Sequence, residues 1–129
     1  MRLLAAAAIF VFIGCAGSTE GTADQNQPAD IGWLTASLQD EGVFVESRGT
    51  ANPSIAADRS NRLVLDGREI LDVYEFARGE QAMNSAIEFA GRNPGNDVYV
   101  RETLVVIRYT TRATGLSLVL NELLGATVA

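Results

Sequence analysis

The stretch RLVLDGREILDVYEF, residues 62 to 76, restricts the possible folds more than any other part of the chain. Two runs rich in β-branched and large apolar residues flank Asp66-Gly67. Both residues of that dipeptide tolerate the positive φ that a two-residue hairpin turn requires, so the stretch predicts a pair of antiparallel strands. DVYV and TLVVIRYT, further along, predict a second hairpin. Its later strand is the most apolar in the chain and is expected at the centre of a sheet.

The remaining patterns supply helices. Asp30 caps a helix in which Ile31, Leu34 and Leu38 share a face with Trp33 beside them, and Gly42 suits its C-terminal end. VFVES, residues 43 to 47, reads as a short strand. Residues 48 to 61, rich in Gly, Asn, Pro and Ser, read as a long connection. From Gly79 to Ala90, the stripe Ala82, Met83, Ala86, Ile87 and Ala90 predicts a helix that GRNPGN ends. Thr114 caps a last helix, with Leu116, Val119, Leu120 and Leu123 at helical spacing and Gly125 as its stop. The order is helix, strand, hairpin, helix, hairpin, helix. It predicts an α+β fold: an antiparallel sheet of about four to five strands, with about three helices packed mainly on one face.

The first residues follow a different plan. Arg2 and the amino terminus carry positive charge, Leu3 to Ile13 form an unbroken apolar run, and small residues follow. This is the three-part layout of a secretory signal peptide. The run is too short for a membrane-spanning helix, which needs about 20 apolar residues. At its end, in FVFIGCAGSTE, stands the only cysteine of the chain. Phe12-Ile13-Gly14-Cys15 resembles the lipobox of bacterial lipoproteins, with Phe12 where Leu is usual. The resemblance implies cleavage between Gly14 and Cys15, a diacylglyceryl thioether on Cys15, and often a further acyl chain such as palmitate on its new amine. Ordinary cleavage near Gly17, releasing a soluble exported protein, is the rival reading. Two or more acyl chains hold a protein stably on a bilayer where one does not. The resemblance further implies that Ala16, in place of Asp, directs the protein to the outer membrane of a two-membrane cell.

Residues 16 to 29 carry no apolar side chain larger than Ala. They are expected to form a tether of roughly 20 Å root-mean-square span. The chain thus divides into a signal peptide (1–14), a lipidated Cys with tether (15–29) and one small domain (30–129). Within that domain, LVLDGREILDVYEF, TLVVIRY and LNELLG resemble a group of short bacterial lipoproteins over residues 31 to 125. That likeness supports the architecture and implies no activity.

Composition narrows the chemistry. All ten basic residues are Arg, and sixteen acidic residues set the net charge at −6. That balance argues against a nucleic-acid partner, because phosphate contacts supply most of such affinity. With no His and one Cys, catalytic triads, Cys–His dyads and internal disulfides are excluded, and most nitrogen-based metal sites with them. Asp66, Glu69, Asp72 and Glu75 recur at three-residue spacing, yet on a strand Glu69 and Glu75 point one way and Asp72 the other. They are expected to form a solvated edge, with no metal bound. Glu69 and Glu75 lie roughly 20 Å apart along a strand, too far to flank one scissile bond. Ser54, Ser60 and Ser117 have no His to activate them. Arg101 and Arg108, with Tyr99 and Tyr109, form the one basic-aromatic concentration. They either hold a small anion, as guanidinium groups suit carboxylate or phosphate, or balance Glu102 and cover apolar surface with their stems.

These features lead to the expectation of a lipid-anchored, exported, non-enzymatic domain. Its partners would be the membrane, through the lipid on Cys15, and another envelope protein; no nucleic acid, cofactor or metal is expected. The alternative is a small-ligand or anion carrier using Arg101 and Arg108. An apolar patch surviving on the folded surface at Trp33, Phe44 or Tyr74 would favour the first reading.

Overall fold

Asp30 opens the fold as the sequence requires. The computed structural model describes residues 28–109 and 114–128, and in it Asp30 sits in extended backbone just before α1 (Ile31–Asp40). Its Oδ1 accepts the Trp33 N–H at 2.7 Å, filling one of the donors a helix start leaves open. Gly42 follows the helix with φ +86°, which reverses the chain into β1 (Val45–Ser47).

The first hairpin pairs β2 (Arg59–Leu65) with β3 (Glu69–Glu75), Leu65 standing opposite Glu69. Asp66 and Gly67, at φ +53° and +72°, take the positive angles expected of them, but Leu65 pairs with Glu69, so the loop holds three residues, Asp66, Gly67 and Arg68, one more than the two-residue turn the sequence predicts. β2 begins at Arg59, earlier than composition indicates. Arg59, Ser60 and Asn61 stand opposite Glu75, Tyr74 and Val73, and that pairing overrides their weak strand propensity. The second hairpin is β4 (Asp97–Arg101) and β5 (Leu104–Arg108). The sheet has five antiparallel strands in the order β1-β2-β3-β5-β4. The apolar strand β5 is interior, and β3 occupies the middle.

Alternation along the strands makes two apolar surfaces. Leu63, Leu71, Val73 and Val106 face α1 and α3 (Thr114–Leu124), whose Leu34, Leu38 and Leu120 are fully buried against them. On the other surface, Val98, Val105 and Ile107 face α2 (Gly79–Arg92). Each such Leu, Val or Ile withdrawn from water contributes about 1.5–3 kcal/mol before conformational entropy is counted. The fold is therefore α+β, with two of its three described helices on one face of the sheet and α2 on the other.

One helix is rotated from the expected stripe. α2 buries Ala82, Ala86, Phe89 and Ala90, and leaves Met83 and Ile87 exposed. The three alanines let the helix lie close to the strands. Turning Phe89 inward brings more apolar area to the core than Met83 would, and it moves the Met83–Ile87 row to the flank.

Candidate functional site

The acidic residues of β3 divide between the two faces as strand alternation requires, but they do not form a solvated edge. β3 is the middle strand, so Glu69 and Asp72 are buried. A carboxylate withdrawn from water needs a partner. Asp72 takes the Arg62 guanidinium in two parallel bonds, Nε to Oδ1 at 2.8 Å and Nη2 to Oδ2 at 2.9 Å. Its Oδ2 also accepts the Tyr109 hydroxyl at 2.7 Å and the Asn52 N–H at 3.1 Å. Burial alone would raise the Asp72 pKa; the hydrogen bonds from Arg62, Tyr109 and Asn52 outweigh it and hold the carboxyl below its ordinary value.

The same network fastens the connection between β1 and β2. The Tyr74 hydroxyl donates to the Asn52 carbonyl at 2.6 Å, and Ser60 Oγ accepts the Ala51 N–H at 3.2 Å. Ala51 and Ile55 are thereby pressed into the core beside Tyr74 and Phe76. Burial, helped by the charge of Asp72, pushes the Tyr74 hydroxyl up to about 12. Every group here has a protein partner, and the cluster acts as a clasp.

Arg101 and Arg108 lie on the same face of the β4–β5 hairpin but at opposite ends of it, opposite Leu104 and Asp97 respectively. Arg101 donates from Nη1 to the Leu123 carbonyl at 2.6 Å, and its guanidinium lies 4.6 Å from the Trp33 ring centroid. It thus closes the C-terminal end of α3 and ties it to α1, where a cation complements the helix dipole. Arg108 is 1 % exposed; it pairs with Glu69 Oε1 through Nε at 2.9 Å and Nη2 at 2.8 Å, and donates from Nη1 to Ser117 Oγ at 2.6 Å. The two guanidinium groups do not converge on one concavity, and both hold helix α3 to the sheet. Tyr99, opposite Val106 between them on the hairpin, is buried, and Glu102, the acid expected to balance them, instead accepts the Ala29 N–H at 3.2 Å.

Trp33 and Tyr74 are core residues, whereas Phe44 is 62 % exposed. Phe44 immediately precedes β1 and exchanges contacts with the hairpin turn: its carbonyl accepts the Asp66 N–H at 2.8 Å, and its N–H donates to Asp66 Oδ1 at 2.9 Å. By alternation it lies on the α2 side of the sheet with Val64 and Ile70, which stand opposite each other on β2 and β3. α2 packs on β4 and β5 and does not reach this corner. Ile70 is 37 % exposed there and Val64 is half-buried. Period-two alternation in VFVES and EILDVYE was the sequence signal for this grouping. It sets Phe44 apart from Val43 and Val45, and Ile70 apart from Leu71 and Val73.

Asp40 and Glu41 are exposed at the end of α1, which packs on the other face of the sheet, and Asp66, in the turn, is exposed beside Phe44. Glu46, on the same face, is half-buried and holds Arg48 at 2.9 Å. A polar groove of about 700 Å³ lies elsewhere, between the start of α1 and β2, lined among others by Asp30, Arg59, Asn61 and Glu75. Its helix terminus is already neutralised, since Glu75 Oε2 accepts the Ile31 N–H at 2.7 Å and Asp30 caps Trp33. Among the described residues no cluster of three or more acidic, His or Cys side chains is placed to hold a metal ion. None of the described helices is long and apolar enough to cross a membrane. Gly14 and Cys15, the expected cleavage and lipidation site, lie outside the described residues. Comparison with protein-family models, with curated proteins and with solved structures finds no match to this chain.

Proposed function

We propose that this protein is a lipid-anchored, exported domain of the cell envelope that acts by binding another envelope component, without catalysing a reaction. The signal-type leader and Cys15 supply the anchor. The observation that carries the binding role is Phe44. A large aromatic side chain is left mostly in water at one end of the sheet, on the same face as the exposed Ile70, while Trp33, Tyr74, Phe76, Phe89 and Tyr99 are buried and Tyr109 is half-buried. Aromatic side chains held rigidly at a partly apolar surface are frequent anchors of protein interfaces. The carrier reading has no comparable support, because Arg101 and Arg108 are committed to helix α3 and to Glu69.

Two measurements test the proposal. Detergent-phase partitioning of protein made in its host should retain the wild-type chain and release Cys15→Ser to the aqueous phase; equal partitioning of the two refutes the anchor. Chemical crosslinking in intact cells should give a discrete adduct that Phe44→Ser loses. An adduct pattern unchanged by Phe44→Ser refutes the assigned surface.

A further inference from the structure

β4 is one of the two outer strands of the sheet, five residues long where the other, β1, has three. An outer strand offers its outward N–H and C=O groups to any extended segment that comes alongside. Here the chain itself supplies one. Gly125, at φ +85° and with its N–H on the Asn121 carbonyl at 2.8 Å, turns the chain out of α3. The residues after it pass from the face that carries α3 to the α2 face, where the half-buried Val128 packs on the second apolar surface. Val128 N–H donates to the Val98 carbonyl at 2.9 Å, and among the described residues this is the one backbone bond on the outer side of β4.

That bond fixes the phase of the strand. Val98 turns its backbone groups outward, so Val100, two residues on, does the same, while Asp97, Tyr99 and Arg101 turn theirs to β5. A second copy of β4 laid antiparallel about Tyr99 sets Val98 opposite Val100 of that copy, and Val100 opposite its Val98. Outward donors and acceptors meet in both pairs, each pair exchanging two backbone hydrogen bonds. The same register brings Asp97 opposite Arg101 of the second copy at both ends, in the positions where facing side chains come closest. Asp97 is half-buried and holds no ion pair among the described residues. Arg101 gives Nη1 to Leu123 and keeps its remaining donors for a carboxylate. Asp-Val-Tyr-Val-Arg is therefore complementary to itself when reversed.

We propose that β4 is a self-pairing edge closed by residues 126 to 128, and that moving this segment aside lets two copies of the chain join through antiparallel β4 strands, their two five-stranded sheets becoming one. The partner is a second copy of this chain, and the pairing depends neither on the lipid anchor nor on Phe44.

The test uses the full chain in detergent solution, its mass read by sedimentation over a range of concentrations. Deleting residues 126 to 129 should tighten self-association at least about ten-fold over wild type and stop at dimers, because a two-fold interface closes on itself. Val128→Pro removes only the donor to Val98; it should move association in the same direction by less, and it decides the matter where the deletion does not fold. Val100→Pro removes an outward donor that the β4–β5 ladder does not use, which an outer strand tolerates. Added to the deletion or to Val128→Pro, it should return association to the wild-type level, and Asp97→Asn should weaken it in part. Association no tighter than wild type in both strap variants, dimers that survive Val100→Pro, or species larger than dimers overturn the proposal. Loss of the fold in both strap variants overturns it too, since the segment is then part of the core and not a cover.

Discussion

One face of the sheet carries two unlike halves. Over β4 and β5, α2 lies close on its alanines and covers Val98, Val105 and Ile107 completely. Over β1, β2 and the start of β3, the same face ends in Phe44, Val64 and Ile70 with solvent beside them. Between the halves, the Asp72 clasp holds the connection from β1 to β2 over the middle of the face and stops short of the corner. The difference separates two reasons for placing an apolar side chain on a strand. In the covered half, burial stabilises the fold. In the open half, Phe44 gains little from folding, which is why the proposed binding role is assigned there.

The largest effect that could break this comparison belongs to the clasp. Asp72→Ala removes the acceptor of Arg62, Tyr109 and Asn52 and should cost roughly 3–5 kcal/mol in denaturant unfolding, as expected for losing one member of a buried charged pair. It should also release residues 48 to 58 to rapid hydrogen exchange. A loss below about 1 kcal/mol would mean that the clasp is ornamental. Next, Ile107→Ala under α2 should cost roughly 2–5 kcal/mol by transfer and cavity terms.

The pH dependence of stability is a smaller effect with a definite sign. The Asp72 pKa is lowered in the folded protein, so the unfolded chain binds the proton more readily. Its contribution is therefore present above the unfolded value of about 3.9, and is lost as pH falls through the lower folded value. Asp72→Asn should flatten that acid limb relative to wild type; matching acid limbs would contradict the assignment. Tyr74 has the opposite sense. Its raised pKa of about 12 gives stability present below the unfolded value of about 10 and lost as pH rises towards 12. The smallest change should come from the open half: Phe44→Ser should shift stability by about 0.5 kcal/mol or less, the usual range for a surface site. A cost of several kcal/mol there would make Phe44 a core residue and remove the contrast.

Much of this architecture was legible because local signals and global fold agree. Asp66-Gly67 located its turn, though not the third loop residue Arg68, while Asp30 specified its cap and Gly42 its exit, each through one backbone or side-chain requirement. The failures share a cause: they depend on which strand is central and on how helices rotate against it. Glu69 and Asp72 look like residues of a wet strand until β5 is placed beside β3; once buried, Glu69 takes Arg108, far along the chain, and Asp72 takes Arg62, its neighbour across the β2–β3 ladder. Arg108 breaks an apolar run for the same reason. Met83 and Ile87 fit a helical stripe as well as Phe89 does, and only the packing volume against β4 and β5 chooses between them. The candidate surface was half legible. Alternation separates Phe44 and Ile70 from the Leu–Val face, but their exposure follows from where α2 lies, which no local pattern encodes.

The most direct test is a scan in living cells with a photoreactive residue placed in turn at 44, 64 and 70, and at the other exposed apolar positions 83, 87 and 118. If the open corner is where the anchored domain meets its partner, one discrete protein adduct forms from 44, 64 and 70 and is absent from 83, 87 and 118. Adducts of equal yield from all six positions, or from 83, 87 and 118 alone, would contradict it.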